Sequence, residues 1–334
     1  MPEIHARVHG NIKPNWLRTA LRTGEDFAFV ARVVEQHALN TICSSGRCPN
    51  KAECWNNRTA TLMIMGDVCT RCCRFCATAS GKPLPLQADE PGRVADSIRM
   101  MGLRHAVVTS VTRDDLPDGG AAHWAATVEA IRQVNPHTTI EVLIPDLWGE
   151  QRHVRTVADS RPDILGHNIE CVERLAARVR SVASYDASLR TLAAAADGAA
   201  GAENVRLAPG ADPQSALRKR STSRSPQPAQ AAPLIKSGLM VGLGERPAEV
   251  LQALRDLRAA GVDIVTIGQY LQPSPRHMAV AEYVTPEQFE DYRMAALEMG
   301  FGYVASAPLV RSSYMAHRAM EACATSHATH SARE

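Results

Sequence analysis

Six of the nine cysteines stand in two triplets. Cys43, Cys48 and Cys54 read C-x4-C-x5-C, and Cys69, Cys73 and Cys76 read C-x3-C-x2-C. Each triplet gives three thiolates to one site and leaves a fourth position for another ligand. Dense cysteine groups in an enzyme-length chain point to metal or cluster ligation, not to disulfides. A 4Fe–4S cube held by three cysteines has one iron open to further chemistry. That iron can chelate the amino and carboxylate groups of S-adenosylmethionine (SAM). An electron from the reduced cube then splits the sulfonium and releases a 5′-deoxyadenosyl radical, which can take hydrogen from an unactivated C–H bond. Zinc is the competing reading, but zinc prefers four closed ligands, often in paired C-x2-C units.

The second triplet directly follows an apolar segment, 61–65, which puts it on the first loop after a strand. Further strands are expected at 106–111, 139–144, 163–169, 239–243, 264–269 and 303–307. Helices are expected at 26–37, 93–101, 121–134, 149–159, 172–182, 247–260 and 286–299. Pro247 and Pro286 suit a first helical turn, where the missing N–H costs nothing. Gly102, Gly261 and Gly300 suit the stop position after a helix. Strand–helix alternation of this length predicts an α/β fold with parallel strands, a partial (β/α)6 barrel of the TIM type. In barrels the chemistry gathers at the C-terminal ends of the strands. Four polar clusters obey that rule: TRDDLPDGG, HNIE, GERP and QYLQPS.

Bulk composition narrows the class. The apolar share of 45% supports a large core, while aromatics supply only 4%. A net charge of +2 asks for neither nucleic acid nor an anionic membrane. No apolar run approaches the roughly 20 residues that span a bilayer. The N-terminal residues lack an apolar signal core, so a cytoplasmic enzyme is expected. Residues 193–232, rich in Ala, Gly, Pro, Ser and Arg, read as a disordered surface insertion, with an interdomain linker as the alternative.

The motifs TICSSGRCPNKAECW, GDVCTRCCRFCATASGKP, TSVTRDDLPDGGA, IEVLIPD, HNIE, KSGLMVGLGE, DIVTIGQYLQPS and VASAPLVRSSYMA occur in this order over 11–316. Together they resemble the lipoyl synthase family of radical SAM enzymes. Any radical SAM protein could show the C-x3-C-x2-C alone; its pairing with the upstream triplet and the Arg311-Ser312-Ser313-Tyr314 run is particular to this family. The resemblance implies insertion of two sulfur atoms at C6 and C8 of a protein-bound octanoyl-lysine. It implies two 4Fe–4S clusters and SAM. Cys69, Cys73 and Cys76 would hold the radical cluster. Cys43, Cys48 and Cys54, with Ser313 as fourth ligand, would hold an auxiliary cluster that is consumed as the sulfur donor. Serine oxygen binds iron more weakly than thiolate, which suits a cube that must come apart. Without the upstream triplet, RSSY would read as a helix cap.

The SAM site is expected to draw on Phe75 near the adenine, on Asn168, Glu170 and Lys236, and on Gly242 and Gly244 as a close-approach turn. A Gly-x-Gly is on its own a weak signal. His167 reads as a structural hydrogen-bonder rather than a base. Expected partners are an octanoylated lipoyl carrier domain (an E2 subunit or the glycine cleavage H protein), a low-potential donor such as ferredoxin or flavodoxin, and an iron–sulfur carrier protein. The expected division is an extension at 1–58, a barrel at 59–310 and a C-terminal segment at 311–334. Cys72, Cys171 and Cys323 read as bystanders. Two other classes compete: an electron carrier without catalysis, and a sulfur inserter of the biotin synthase kind.

Overall fold

The computed structural model describes residues 13–19, 23–200 and 232–313. Their elements are α1 (Glu25–Gln36), β1 (Asn40–Thr41), α2 (Ile42–Ser45), α3 (Lys51–Asn56), β2 (Thr61–Ile64), β3 (Val68–Cys69), β4 (Ala79–Ser80), α4 (Glu90–Met101), β5 (His105–Ser110), α5 (Ala121–Val134), β6 (Thr139–Leu143), α6 (Gln151–Asp159), β7 (Ile164–Gly166), α7 (Glu173–Val179), α8 (Tyr185–Ala200), β8 (Leu234–Val241), α9 (Pro247–Ala259), β9 (Ile264–Gln269), α10 (Pro286–Glu298) and β10 (Tyr303–Ser306). One sheet carries the order β1-β2-β5-β6-β7-β8-β9-β10, and β3 pairs with β4 apart from it. From β2 onward every neighbour is parallel. Only β1 runs antiparallel, with Asn40 opposite Met63 and Thr41 opposite Leu62. Six strand–helix units, beginning at β2 and ending with β9, are followed by β10 in an open barrel-type sheet. The seven segments expected as strands are its seven parallel strands.

Burial explains the sequence pattern. Every residue of β2 and of β9 is buried, as parallel strands covered by helices on one side and filled on the other require. The helices cover the outside through apolar stripes. In α9, Val250, Ala253, Leu254 and Leu257 are buried at the i, i+3, i+4, i+7 spacing. Pro286 opens α10, and the Thr285 hydroxyl caps it by accepting from the Gln288 N–H at 3.3 Å. Among the described residues no helix is long and apolar enough to cross a membrane.

Two expectations need correction here. The stretch taken as an insertion from residue 193 begins inside a packed helix, because α8 runs to Ala200 and buries Leu192, Ala194, Ala195 and Ala196. Its small residues let it approach α6: a Cβ at Gly198 would lie 3.4 Å from the Ala158 Cβ. Residues 201–231 lie outside the described residues. Strand β8 starts at Leu234, five residues before the expected 239. Lys236 is therefore an interior strand residue, opposite Gly166 and Ile264, and does not line the site described below.

Lys236 instead joins a buried charge group. Its Nζ lies 2.6 Å from Glu141 Oε1, and His105 Nε2 lies 3.2 Å from Glu141 Oε2. Burial opposes ionisation of Glu141, but Lys236 and His105 overcome it and hold the pKa below the ordinary 4.5. Removing Lys236 breaks a buried ion pair and leaves Glu141 with His105 alone, at about 3–5 kcal/mol. Lys236→Met should lose that much stability in urea unfolding at pH 7, with no change in SAM affinity. A carboxylate with a lowered folded-state pKa stabilises above its unfolded pKa and ceases to do so as pH falls through the folded value. The difference between parent and variant should therefore shrink below pH 4.5.

Candidate active site

The loop after β2 turns at Met65 and Gly66, which take φ of 67° and 97°. It carries Cys69, Cys73 and Cys76 over the C-terminal ends of the strands. Several contacts fix its shape. The β3–β4 ladder and a bond from Gly81 N–H to the Cys69 carbonyl, 2.9 Å, close its base. The Arg74 N–H donates to the Val179 carbonyl at 2.9 Å, and the Met278 N–H donates to the Arg74 carbonyl at 3.0 Å. His277 Nε2 donates to the Cys76 carbonyl at 2.9 Å. Arg71, buried within the loop, forks onto Asp114 at 2.7 and 2.8 Å and reaches Asp146 at 2.8 Å. The backbone N–H groups of Arg71 and Thr112 both point at Cys69 Sγ, 3.4 Å away. Burial pushes the Cys76 thiol up, although bonds from Thr78 pull the other way.

The first triplet stands on the segment that the edge strand β1 attaches to β2. Cys43 lies in α2, whose first turn is capped by the Thr41 hydroxyl. Cys54 lies in α3, held against α1 by Phe27 and Trp55, whose ring centroids are 5.1 Å apart. Asn50 is buried and donates from Nδ2 to the Leu309 carbonyl at 2.7 Å. The Cys48 N–H donates to the Cys43 carbonyl at 3.2 Å. Burial pushes the Cys54 thiol up to about 12, helped by the charges of Cys43 and Cys48.

After β10 the chain folds back into the barrel. Ser313 Oγ accepts from Thr61 Oγ1 at 2.7 Å, and Ser312 Oγ accepts from Asn168 Nδ2 at 2.7 Å. A single cavity of about 520 Å³ is lined by Cys43, Cys48, Cys69, Cys73, Cys76, Ser312 and Ser313. Thr61 opens β2 and the second triplet follows its end. At 3.3 Å per residue the two ligand groups are separated along the barrel by on the order of 10 Å or more.

The donor set fits iron–sulfur cubes. Each group offers three thiols, free of disulfides among the described residues, with backbone N–H groups aimed at sulfur. Among the described residues no three or more His, Cys, Asp or Glu side chains converge as ligands of a single ion. A cube bound at its corners needs thiols set further apart than one zinc ion does.

Of the residues expected at a SAM site, Phe75, Asn168 and Glu170 line the cavity. Asn168 donates its amide to Ser312, so it tethers the returning chain. Glu170 takes a left-handed φ of 68°, the kind of strain found at functional sites. Burial raises its pKa, against the pull of Arg180 and Asn168. Gly242 and Gly244 do not line the cavity. A Cβ at Gly242 would stand 2.0 Å from Gln269 Nε2 and 2.5 Å from the Glu282 carbonyl oxygen, so its close approach serves the chain's own packing.

His167 is structural, as expected: Nδ1 donates to the Ile144 carbonyl at 2.9 Å, and Nε2 faces Ser188 Oγ at 2.9 Å. Burial, then the charge of Arg180, take its pKa down to about 4. Arg113 and Asp115 pair with each other at 2.8 Å and are not free for a ligand. Sequence reasoning missed Arg71, Thr61 and Arg180, which carry no spacing signal. Cys72 is exposed, and Cys171 is buried with its thiol pushed up to about 12. Cys323 and Tyr314 lie outside the described residues.

Residues 63–199 match the radical SAM superfamily. The chain is 50% identical over 306 residues to the lipoyl synthase of Parabacteroides distasonis, covering 92% of this chain and 97% of that one. It is 49% identical over 306 residues to the lipoyl synthase of Porphyromonas gingivalis, with the same two coverages, 92% and 97%. Among solved structures, Streptococcus suis SuiB superposes with a TM-score of 0.50 at 7% identity, covering 84% of this chain and 52% of that one; this likeness concerns the fold alone. With half its residues shared over nearly its whole length, the chain belongs to the lipoyl synthase family of radical SAM enzymes.

Proposed function

We propose that the cavity is where two sulfur atoms enter an octanoyl chain, at C6 and C8, while that chain is attached to a lysine of a lipoyl carrier domain. Cys69, Cys73 and Cys76 hold the family's 4Fe–4S cluster and SAM. Cys43, Cys48 and Cys54, with Ser313, hold a second cube whose sulfide is the sulfur source. One observation carries this reading: Cys69, Cys73 and Cys76, two of the first three thiols (Cys43 and Cys48, though not Cys54) and Ser313 line the same cavity. Its volume of about 520 Å³ lies within the range of small-molecule sites.

When bound, the radical cluster and SAM supply a 5′-deoxyadenosyl radical. The protein's part is placement. The Arg71–Asp114–Asp146 network and His277 hold the cluster loop rigid. Phe75 offers a face to the adenine, and the buried Glu170 offers an acceptor to the SAM amino group. Apolar Met63, Leu143 and Leu239 wall the cavity and keep water from a carbon radical. Ser313, a hard oxygen donor, binds iron less firmly than a fourth thiolate. Among the described residues, the segment that carries Cys43, Cys48 and Cys54 and the one that carries Ser312 and Ser313 thus complete the barrel's cavity, in line with a division at 58 and 311. A ferredoxin- or flavodoxin-type donor supplies electrons, and an iron–sulfur carrier restores the spent cube. Thiols kept for clusters fit a reducing, cytoplasmic setting.

Anaerobically loaded parent protein should contain roughly eight irons, and Cys54→Ala and Cys76→Ala roughly four each, one cube per triplet. Cys54→Ala should still form 5′-deoxyadenosine but no lipoyl product; Cys76→Ala should form neither. Product analysis by mass spectrometry checks both. Ser313→Ala should cut product formation at least about tenfold. Ser312→Ala, which removes only the acceptor of the Asn168 amide, should retain most of it. The opposite order would make Ser312 the ligand.

A further inference from the structure

Met65 follows β2 directly and opens the loop that carries Cys69, Cys73 and Cys76. Its φ of 67° is left-handed. A residue with a side chain keeps that conformation only where its surroundings over-determine it. Met65 is buried, and three other parts of the chain grip it. Glu90 Oε2, at the start of α4, accepts the Met65 N–H at 2.9 Å. Arg113 Nη1, from the loop after β5, donates to the Met65 carbonyl at 3.3 Å. The side chain fills the space left by Gly120 before α5, where a Cβ would stand 2.4 Å from Met65 Sδ.

Glu90 is itself held for this contact. A carboxylate in a first helical turn can face solvent, as the adjacent Asp89 does. Glu90 is buried instead. His123 of α5, also buried at its side chain, donates from Nε2 to the same Oε2 at 2.7 Å. One oxygen thus takes two donors, and His123 aims it at the turn. Arg113 is fixed in a similar way by its fork onto Asp115, at 2.8 Å. Helices α4 and α5 therefore grip the peptide from which the cysteine loop departs. Cys69 lies only four residues further, a reach of at most about 13 Å. An error in direction at Met65 displaces the thiols, and a misplacement of about 1 Å is enough to harm reactive geometry.

We propose that Glu90, oriented by His123, is a positioning residue for the radical cluster. It fixes the direction in which the cysteine loop leaves β2, and with it where the three thiols stand over the cavity that receives SAM. This rests on the reading that Cys69, Cys73 and Cys76 hold a cube. If Cys54→Ala protein takes up no set of about four irons, that reading falls first. A loaded cube indifferent to Glu90 removes this inference alone.

The test uses loaded Cys54→Ala protein, in which the radical cube is the only cluster. Glu90→Ala should weaken SAM binding about tenfold in equilibrium dialysis. It should also speed hydrogen exchange across residues 66–76 while 105–110 keep their rates. Glu90→Gln keeps an oxygen acceptor for the Met65 N–H and should recover most of both. Lys236→Met in the same background gauges a merely structural defect, since it breaks a buried ion pair elsewhere in the sheet; it should move neither readout. Unchanged SAM binding in Glu90→Ala overturns the proposal, as does weaker binding with unmoved loop exchange, or an equal weakening in Lys236→Met. If Glu90→Ala does not fold, His123→Leu decides: weaker SAM binding with faster loop exchange supports the proposal, and unchanged binding overturns it.

Discussion

The bond from Asn50 to the Leu309 carbonyl joins parts of the chain 259 residues apart. It marks the constraint on which the site depends. An open sheet leaves two edges, β1 and β10, and the lumen between them would fill with water. The N-terminal extension attaches at one edge through β1, while the segment after β10 folds inward from the other. Their meeting brings Cys43, Cys48, Ser312 and Ser313 to the wall of one cavity. Gly268 permits this, since any side chain there would collide with the Val310 carbonyl.

Buried charges are grouped so that they hold the elements around the reactive volume. At the loop end, Asp114 and Asp146 hold the Arg71 guanidinium and with it the cysteine loop. Within the sheet, Lys236, Glu141 and His105 form a second buried group. In both groups the carboxylates face the cations, so each stiffens an element. Apolar Met63, Leu143 and Leu239 line the cavity beside polar and charged groups such as Asn168 and Glu170. That is the environment in which a carbon radical survives long enough to meet a chosen sulfur.

Much of this was legible in the sequence, and the reasons differ by element. Cluster ligands are local in the chain, so cysteine spacing reveals them. Parallel strands buried on both faces read as apolar runs, and all seven were marked. Lys236 was misplaced because its partner Glu141 lies 95 residues away, and no local pattern announces a buried ion pair. Gly242 looked like a ligand-approach turn because a glycine forced by Gln269 and one forced by a cofactor leave the same letter. The end of α8 resembled a linker because alanine serves close helix packing and loose chain alike. Thr61 acts through a contact, to Ser313, that only the fold creates.

The central claim is that two cubes face each other across one cavity. Iron-edge anomalous diffraction from anaerobically loaded crystals tests it most directly. Two iron centres should appear at Cys43/Cys48/Cys54 and at Cys69/Cys73/Cys76, separated by on the order of 10–15 Å of open cavity. A single iron centre, or two with protein filling the space between them, would contradict the account.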